Sequence, residues 1–275
     1  MKKNIDTDTV RSFGDEWRHF DQIKLDLIES SKIFEDYFKI FPWEKLPPNS
    51  EGFDMGCGTG RWAKIVSTRV GRLHCIEPSS AIEVAKKLLE DEKNIIFHNS
   101  SLDNCSLSLN SQDFGYSLGV LHHVPDTKEA IRVCSSYLKT GAPLLIYLYY
   151  KFENRNFLYK SIWLLSDLMR RVICKFPSSF KKMITDLIAV LVYFPLARLS
   201  LVAEKLGLNI RNIPLSYYRC HSFYTMRTDS RDRFGTPLEQ RFNKNEIKSM
   251  MEEAGLVEIK FSEQAPFWCA IGIKK

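Results

Sequence analysis

Between residues 50 and 150, short apolar runs alternate with segments whose apolar residues recur at helical spacing. The short runs predict five β-strands: GFDM, RLHCIE, NIIFHN, FGYSLG and APLLIYLYY. The segments between them predict three helices: RWAKIVSTRV, SAIEVAKKLLEDE and DTKEAIRVCSSYL. Ser79 or Ser80 and Asp126 are suited to cap the second and third of these helices. Strands and helices that alternate in this way are typical of a parallel sheet with crossover helices, so we expect a doubly wound α/β domain.

The alternation returns near the end of the sequence. The segment NKNEIKSMMEEAGL predicts a helix closed by Gly255, and two alternating apolar runs, VEIKFSE and PFWCAIGIKK, follow it. These two runs are close enough along the chain to pair as an antiparallel hairpin at the edge of the sheet.

Two further segments have helical spacing but lie outside the alternation. Residues 1–48 are mostly amphipathic and end at the proline pair in LPPN. Residues 151–240 form an insertion between the fifth and sixth strands and contain two strongly apolar helical segments. The predicted organisation is an N-terminal helical cap (1–48), a core (49–150), a helical insertion or substrate lid (151–240), and a C-terminal helix with the hairpin (241–275).

The apolar insertion allows two interpretations. Its longest uninterrupted apolar stretch, Leu187 to Ala197, has eleven residues and contains Pro195, whereas a membrane-spanning helix needs about 20. A helical cap over the sheet is therefore favoured. A membrane-resting face or a lipid-tail pocket in 155–205 stays open, because basic residues that suit acidic headgroups flank the apolar segments: Arg170, Arg171, Lys175, Lys181 and Lys182.

Composition narrows the possible functions. The 275 residues are 44% hydrophobic and 26% charged, as in ordinary soluble globular proteins. The net charge of +6 is dispersed rather than gathered into a basic stripe, which does not favour a nucleic-acid partner. Seven scattered cysteines without a CxxC pair predict reduced thiols, with neither disulfides nor structural zinc. Because no apolar stretch follows the first lysines, we expect a cytoplasmic protein without a signal peptide.

A glycine-rich segment, FDMGCGTG, joins the first predicted strand to the first helix. Glycines at 56, 58 and 60 let backbone N–H groups approach a ligand at the carboxyl edge of the sheet, although a tight turn alone also favours glycine. The spacing is not the dinucleotide pattern G-x-G-x-x-G. Asp54 would repel a pyrophosphate but would accept hydrogen bonds from an ammonium group or from the loop's own amides. A nicotinamide-dependent oxidoreductase is therefore a disfavoured rival.

The sequence resembles the class I S-adenosylmethionine-dependent methyltransferases, in particular those with a methyltransferase type 11-like domain. FDMGCGTG matches their first motif, LHCIEPSS supplies the acid that ends strand two (Glu77), and DFGYSLGVLHHVPD matches their strand-four segment. The sequence departs from the family at Ser101, where an acid is usual and Asp103 follows two residues later, and at LKTGAP before strand five. The resemblance covers residues 50–150 and 243–273 and implies a seven-stranded, mostly parallel sheet whose last strand is antiparallel.

The resemblance also implies a binding site for S-adenosylmethionine and no metal site. In the family, the strand-two acid accepts hydrogen bonds from both ribose hydroxyl groups, which assigns that role to Glu77. The residues expected to bind the cofactor are Asp54, Gly56, Cys57, Gly58, Gly60, Glu77, Pro78, Ser101, Leu102, Ser117 and Leu118.

A methyl group on sulfonium is already a strong electrophile, so the enzyme mainly has to align a nucleophile and exclude water. If the acceptor is a hydroxyl group, a histidine base would assist. The candidates are His122, at the end of strand four, and His221. The pair formed by His122 and His123 is also common in the family as a structural and cofactor-shaping element, so a structural role stays open.

LHHV occupies the place of an NPPY-type motif, which disfavours methylation of the amino groups of bases or glutamine. The expected acceptor is therefore a small molecule, with an oxygen or nitrogen nucleophile. A lipid-linked or surface-glycan acceptor and a degenerate, non-catalytic cofactor-binding module are the alternatives. We expect the acceptor pocket to be built from residues 217–233, with Arg227 and His221, from 155–205 and from 12–21. A solvated loop at 217–233 stays open, and plain core packing is favoured for Phe13, Trp17 and Phe20.

Overall fold

A computed structural model describes residues 3–20, 26–210 and 212–275. In this part of the chain, seven strands form one sheet in the order β3-β2-β1-β4-β5-β7-β6. The strands are β1 (Glu51–Met55), β2 (Arg72–Ile76), β3 (Ile95–His98), β4 (Phe114–Leu118), β5 (Pro143–Tyr147), β6 (Leu256–Phe261) and β7 (Cys269–Lys274). The first five are parallel, and β7 is antiparallel to both of its neighbours. The predicted fold class is confirmed.

Ten α-helices accompany the sheet within the described residues. They are α1 (Thr7–His19), α2 (Leu27–Phe38), α3 (Arg61–Val66), α4 (Ala81–Leu88), α5 (Thr127–Tyr137), α6 (Phe157–Ile173), α7 (Ser178–Ile188), α8 (Phe194–Lys205), α9 (Phe223–Gly235) and α10 (Lys244–Glu253). Asp126 caps α5 as expected, because its side chain accepts a hydrogen bond from the Glu129 amide. At α4 the Ser79 hydroxyl group accepts the Ala81 N–H at 3.1 Å.

Strand alternation places two apolar layers on opposite faces of the sheet. Phe53 and Met55 lie in the layer that includes Ile131 of α5 and Met251 of α10. The opposite layer contains Tyr116 of β4 together with residues of α2, α3 and α4. Because successive side chains of a strand point to opposite faces, Asp54 is directed away from Phe53 and Met55. A carboxylate is therefore buried directly below the glycine loop.

The chain divides into two compact units. The first contains residues 3–20, Ser30–Lys151 and Leu238–Lys275, which include the whole sheet. The second contains residues 26–29 and Phe152–Pro237, apart from residue 211, and includes helices α6 to α9. These four helices follow β5 and precede β6, in the predicted position of the insertion.

One helix of the second unit is continuous across the proline in its sequence. A π-helical turn, Ala189–Tyr193, joins α7 to α8, so that Ser178–Lys205 is one continuous helix of 28 residues. Pro195 does not interrupt it, because proline is tolerated in the first turn of α8, directly after the π turn. By length and composition alone this helix is able to cross a membrane.

Candidate functional site

The loop between β1 and α3 requires glycine at three positions. Gly56, Gly58 and Gly60 have φ angles of +81°, +55° and +79°, in the left-handed region that side chains disfavour. An added Cβ would lie 2.5 Å from the Val120 side chain at position 56 and 2.6 Å from Leu89 at position 60. The loop thus presents bare backbone at the carboxyl edge of the sheet.

Glu77 lies beside this loop. Its carboxylate accepts hydrogen bonds from the Gly58 amide at 3.1 Å and the Ser79 amide at 2.9 Å. Burial raises the pKa of Glu77, while the hydrogen bonds from Ser79 and Gly58 oppose that effect. Each carboxylate oxygen can accept more than one hydrogen bond, so this fixed carboxylate retains acceptor capacity for a ligand.

Asp54 is the second buried acid of the site, with 1% of its surface exposed. Burial raises its pKa from 3.8 to about 8; Tyr116 and Arg61 lower the pKa, and the charge of Glu77 raises it. The Tyr116 hydroxyl group is near enough to affect this pKa, yet neither it nor Asp54 Oδ2 makes a hydrogen bond of standard geometry to any described residue. Asp54 is therefore mainly protonated at neutral pH.

The other predicted cofactor residues have varied surroundings. The Ser117 hydroxyl group donates to the Met55 carbonyl at 2.8 Å and so ties β4 to β1. Cys57 is buried, and its interaction with Cys75 together with burial raises the pKa of its thiol. Leu102 and Leu118 are buried, whereas Pro78 and Ser101 are partly exposed. Ser117 thus has a structural partner, and its role toward a cofactor stays a prediction.

Helix α1 lies along the same edge of the sheet. Phe13 contacts the His123 ring edge-on at 5.0 Å, and Trp17 Nε1 is 3.4 Å from the position of a Cβ on Gly58. Phe20 is buried, so core packing describes Phe20 but not Trp17. The backbone amide of the asparagine at position 4, shortly before α1, donates to Asp103 Oδ2 at 2.7 Å. Sequence reasoning did not single out this asparagine.

His122 follows β4 and is completely buried. Neither of its ring nitrogens has a hydrogen-bond partner among the described residues. Burial, and then the charges of His123 and Arg241, hold its pKa well below the usual range, so the imidazole is neutral at pH 7. Its ring lies 3.9 Å from that of Tyr149, which Arg241 covers at 5.0 Å. Sequence reasoning missed both neighbours; the only signal was the tyrosine run at the end of the fifth predicted strand.

His221 belongs to the second unit. Its Nδ1 lies 3.0 Å from the Tyr217 carbonyl oxygen, and the two rings are 4.7 Å apart. It is 9% exposed. Its local geometry therefore describes a histidine packed on a tyrosine, and a catalytic role for it stays a prediction.

The segment 217–233 is not a solvated loop. It consists of a 3₁₀ turn, Ser216–Cys220, and most of helix α9. Arg227 forms a bidentate pair with Asp186 at 2.9 and 2.8 Å, and Arg231 is buried and donates to Ser178. The arginines of α9 are thus paired with polar groups of the same unit, and this pairing explains how a helix with so polar a sequence is buried. An acceptor-binding role for Arg227 stays a prediction.

Comparison with known proteins agrees with this geometry. Residues 53–146 match the family described as "Methyltransferase domain". No curated protein sequence matches significantly.

Solved structures share the fold at low sequence identity. An O-methyltransferase family protein from Burkholderia thailandensis is 12% identical, with a TM-score of 0.54 over 90% of this chain and 56% of its own. A protein from Bacillus halodurans, provisionally assigned as a methyltransferase, is 13% identical, with a TM-score of 0.52 over 84% of this chain and 72% of its own. The Haemonchus contortus phosphoethanolamine N-methyltransferase 2, solved with phosphomonomethylethanolamine and S-adenosylhomocysteine, is 14% identical, with a TM-score of 0.50 over 94% and 46%.

Residues 53–146 therefore form a methyltransferase domain. The seven-stranded sheet that contains this segment has the fold implied by the resemblance to the class I S-adenosylmethionine-dependent methyltransferases.

Proposed function

We propose that this enzyme binds S-adenosylmethionine along the loop from Gly56 to Gly60 and transfers the methyl group to an oxygen or nitrogen atom of a small-molecule acceptor. The observation that supports this most is the Glu77 carboxylate, which is buried and held against the Gly58 amide. A fixed acceptor of this kind suits the two hydroxyl groups of a ribose.

The charge of the site also suits this cofactor. Asp54 and Glu77 are both buried, and burial raises both pKa values. A cationic ligand would stabilise their ionised forms, whereas a pyrophosphate would be repelled by them. Asp54 Oδ2, which has no hydrogen-bond partner among the described residues, is the acceptor we assign to the ammonium group. When bound, the cofactor supplies an electrophilic methyl group on a sulfonium.

His122 is the residue of the first unit that we assign as proton acceptor for the nucleophile. Its neutral ring has nitrogens without partners in the described part of the chain, so it is able to accept a proton. The low pKa makes it a weak base, which suits a hydroxyl or amine that loses its proton only as the methyl group transfers.

Calorimetry with S-adenosylhomocysteine tests cofactor binding. Gly58→Val forces a branched side chain into a positive φ beside Trp17, and Glu77→Ala removes the fixed carboxylate, so both should abolish measurable binding. Glu83→Ala is the matched control, because this glutamate of α4 is 68% exposed and pairs only with Lys86 in the ion pairs described. Wild-type affinity in folded Gly58→Val and Glu77→Ala would refute the assignment.

Fluorescence titration with NADH tests the rival function, a nicotinamide-dependent oxidoreductase. Binding of S-adenosylhomocysteine without methyl transfer to any acceptor would identify a non-catalytic cofactor-binding module.

A lipid-linked or surface-glycan acceptor is the second candidate. The observation that favours it is the exposure of large apolar side chains on α6, such as Leu165 and Leu168, each 62% exposed. Methylation of a total lipid extract with radiolabelled cofactor separates the candidates, since label in the organic phase indicates a lipid-linked acceptor and label in the aqueous phase a soluble one. A cytoplasmic location is part of the same proposal.

A further inference from the structure

Helix α6 has its polar side inside and its apolar side outside. Asp167 and Arg170 are each 6% exposed at the side chain and are joined at 2.8 Å. On the opposite side of the helix, Leu165, Leu168 and Val172 are 62%, 62% and 54% exposed. This polarity is the reverse of that in helices of water-soluble domains.

The continuous helix Ser178–Lys205 shows the same reversal. Thr185 and Ser200 are buried with no exposed surface, while Leu187, Leu191 and Val202 are 55%, 63% and 54% exposed. Only 22% of its most apolar segment is buried within the structure. We define the apolar face of the second unit as the exposed surface that contains Leu165, Leu168, Val172, Leu187, Leu191 and Val202.

Helix α9 explains why the inner sides are polar. Its Ser230 donates to the Thr185 carbonyl at 2.8 Å, and its Arg233 lies 3.7 Å from Asp167. Among the described residues, the buried apolar cluster of this unit contains Ile173, Tyr193, Ala197, Met226 and Phe234. Soluble monomers rarely expose contiguous apolar patches larger than about a few hundred Å². The apolar face therefore needs a cover other than water.

The charge around the apolar face favours an anionic cover. Residues 152–210 contain nine lysines and arginines and four acids. Asp167, Asp186 and Glu204 are paired with basic residues. Lys160, Arg171 and Lys175 are exposed. A second copy of the same face would oppose these like charges, whereas acidic headgroups would pair with them.

We propose that the second unit docks on an anionic lipid bilayer, with the apolar face inserted into one leaflet and the basic residues at the headgroups. The helix Ser178–Lys205 lies in the interface and does not span, because a spanning position would draw the charged helix α9 into the hydrocarbon core. This inference is independent of the proposed methyl transfer.

Flotation of the full chain with vesicles tests the proposal. The vesicles contain one part phosphatidylglycerol to two parts phosphatidylcholine, and vesicles of phosphatidylcholine alone serve for comparison. We expect the wild type to float at low salt, with a preference for the anionic vesicles. The double variant Leu165→Asp/Leu168→Asp should lower the bound fraction by about tenfold or more. Leu109→Asp is the matched control, since Leu109 is 66% exposed in the first unit, and it should float as the wild type does.

A charge variant separates the two contributions. Arg171→Gln/Lys175→Gln should lose the preference for phosphatidylglycerol and its sensitivity to salt, while binding through the apolar face is retained. Calorimetry with S-adenosylhomocysteine on Leu165→Asp/Leu168→Asp should give an affinity within about twofold of the wild type, so a failure of cofactor binding is distinguished from a failure of docking.

Three results would overturn the proposal. The first is a wild type that stays with the soluble fraction at low salt. The second is a dimer in vesicle-free solution that Leu165→Asp/Leu168→Asp dissociates, which would assign the apolar face to a second copy. The third is retention on vesicles after alkaline carbonate washing, which would replace the interfacial position with a spanning one.

Discussion

Arg170 and Arg171 are neighbours on α6 and contact the same carboxylate, but we expect their removal to have very different effects. Arg170 donates to Asp167 Oδ1 at 2.8 Å and to the carbonyls of Thr236 and Pro237 at 3.0 and 2.7 Å. Arg171 donates to Asp167 Oδ2 at 2.9 Å. The side chain of Arg170 is 6% exposed and that of Arg171 is 68% exposed. The two arginines therefore differ in burial, whereas their residue type and their ion-pair partner are the same.

Arg170→Gln removes the buried positive charge beside the Asp167 carboxylate and the donor of two backbone carbonyls. We expect this to lower the free energy of unfolding by about 3–5 kcal/mol. Arg171→Gln removes an exposed, hydrated charge and should cost about 1 kcal/mol or less. With a urea dependence of about 1–3 kcal/mol per molar, the first variant moves the unfolding midpoint of the second unit by a molar or more. Arg171→Gln should move this midpoint by only a fraction of that shift.

Hydrogen–deuterium exchange mass spectrometry in urea measures the unfolding midpoint of the second unit, because peptides of α6 and α9 are followed separately from those of the sheet. Far-UV circular dichroism confirms that both variants are folded at zero urea.

The pH dependence of stability is a second test of the same ion pairs. Burial raises the pKa of Asp167, but hydrogen bonds and charges from Arg170, Arg171 and Arg233 outweigh it and hold the pKa below its usual value. The wild type should therefore lose this stabilisation as pH falls through the lowered pKa. Equal midpoint shifts in the two variants would refute the reasoning that burial decides the cost.

Three further predictions concern the first unit. The pKa of Asp54 is raised to about 8 in the fold, so between about pH 4 and 8 the carboxyl group is protonated in the folded state but ionised in the unfolded state, and the free energy of unfolding falls by about 1.4 kcal/mol per pH unit. Asp54→Asn removes this titration and should flatten the dependence of thermal stability on pH, measured without cofactor, over the same range. Parallel pH profiles for the wild type and the variant would contradict this. Gly56→Ala places a Cβ 2.5 Å from Val120, whereas Gly141→Ala has a similar φ of +84° but nothing within 4 Å; the first should lose about 1–3 kcal/mol more than the second in urea unfolding, and equal losses would mean that only the backbone conformation matters. His122→Phe replaces a ring without hydrogen bonds by one of similar shape; we expect kcat to fall by about 10²-fold or more while affinity for S-adenosylhomocysteine is unchanged, and an undiminished kcat would remove His122 from the chemistry.

The local parts of the fold could be predicted from the sequence. The glycine loop, the Asp126 cap and the acid at the end of β2 depend on residues that are close along the chain, so their patterns identify them. The order of the strands is a long-range property, and no local pattern in the sequence specifies it. The contact between the asparagine at position 4 and Asp126, 122 residues apart, leaves no local signal.

The polarity of α6 could not be predicted for a different reason. Helical spacing shows that apolar and polar residues occupy opposite sides, but it does not show which side is buried. Arg170 and Arg171 look alike in the sequence, and only the packing of α9 separates them. The solvated loop that stayed open for 217–233 is excluded by the same packing, since Arg227 and Arg233 are paired with acids inside the unit.

The position of β7 between β5 and β6 has a consequence for the order of folding. β5 pairs with a strand that begins 122 residues after β5 ends, since Tyr147 lies opposite Cys269. During synthesis the edge of β5 is left with unpaired amides and carbonyls while all of α6 to α9 are made. Closing so long a loop is slow, and an open strand edge is prone to associate with other chains. The nascent protein therefore passes through an interval in which its second unit is complete and its sheet is not, and a chaperone that shields strand edges would act in that interval.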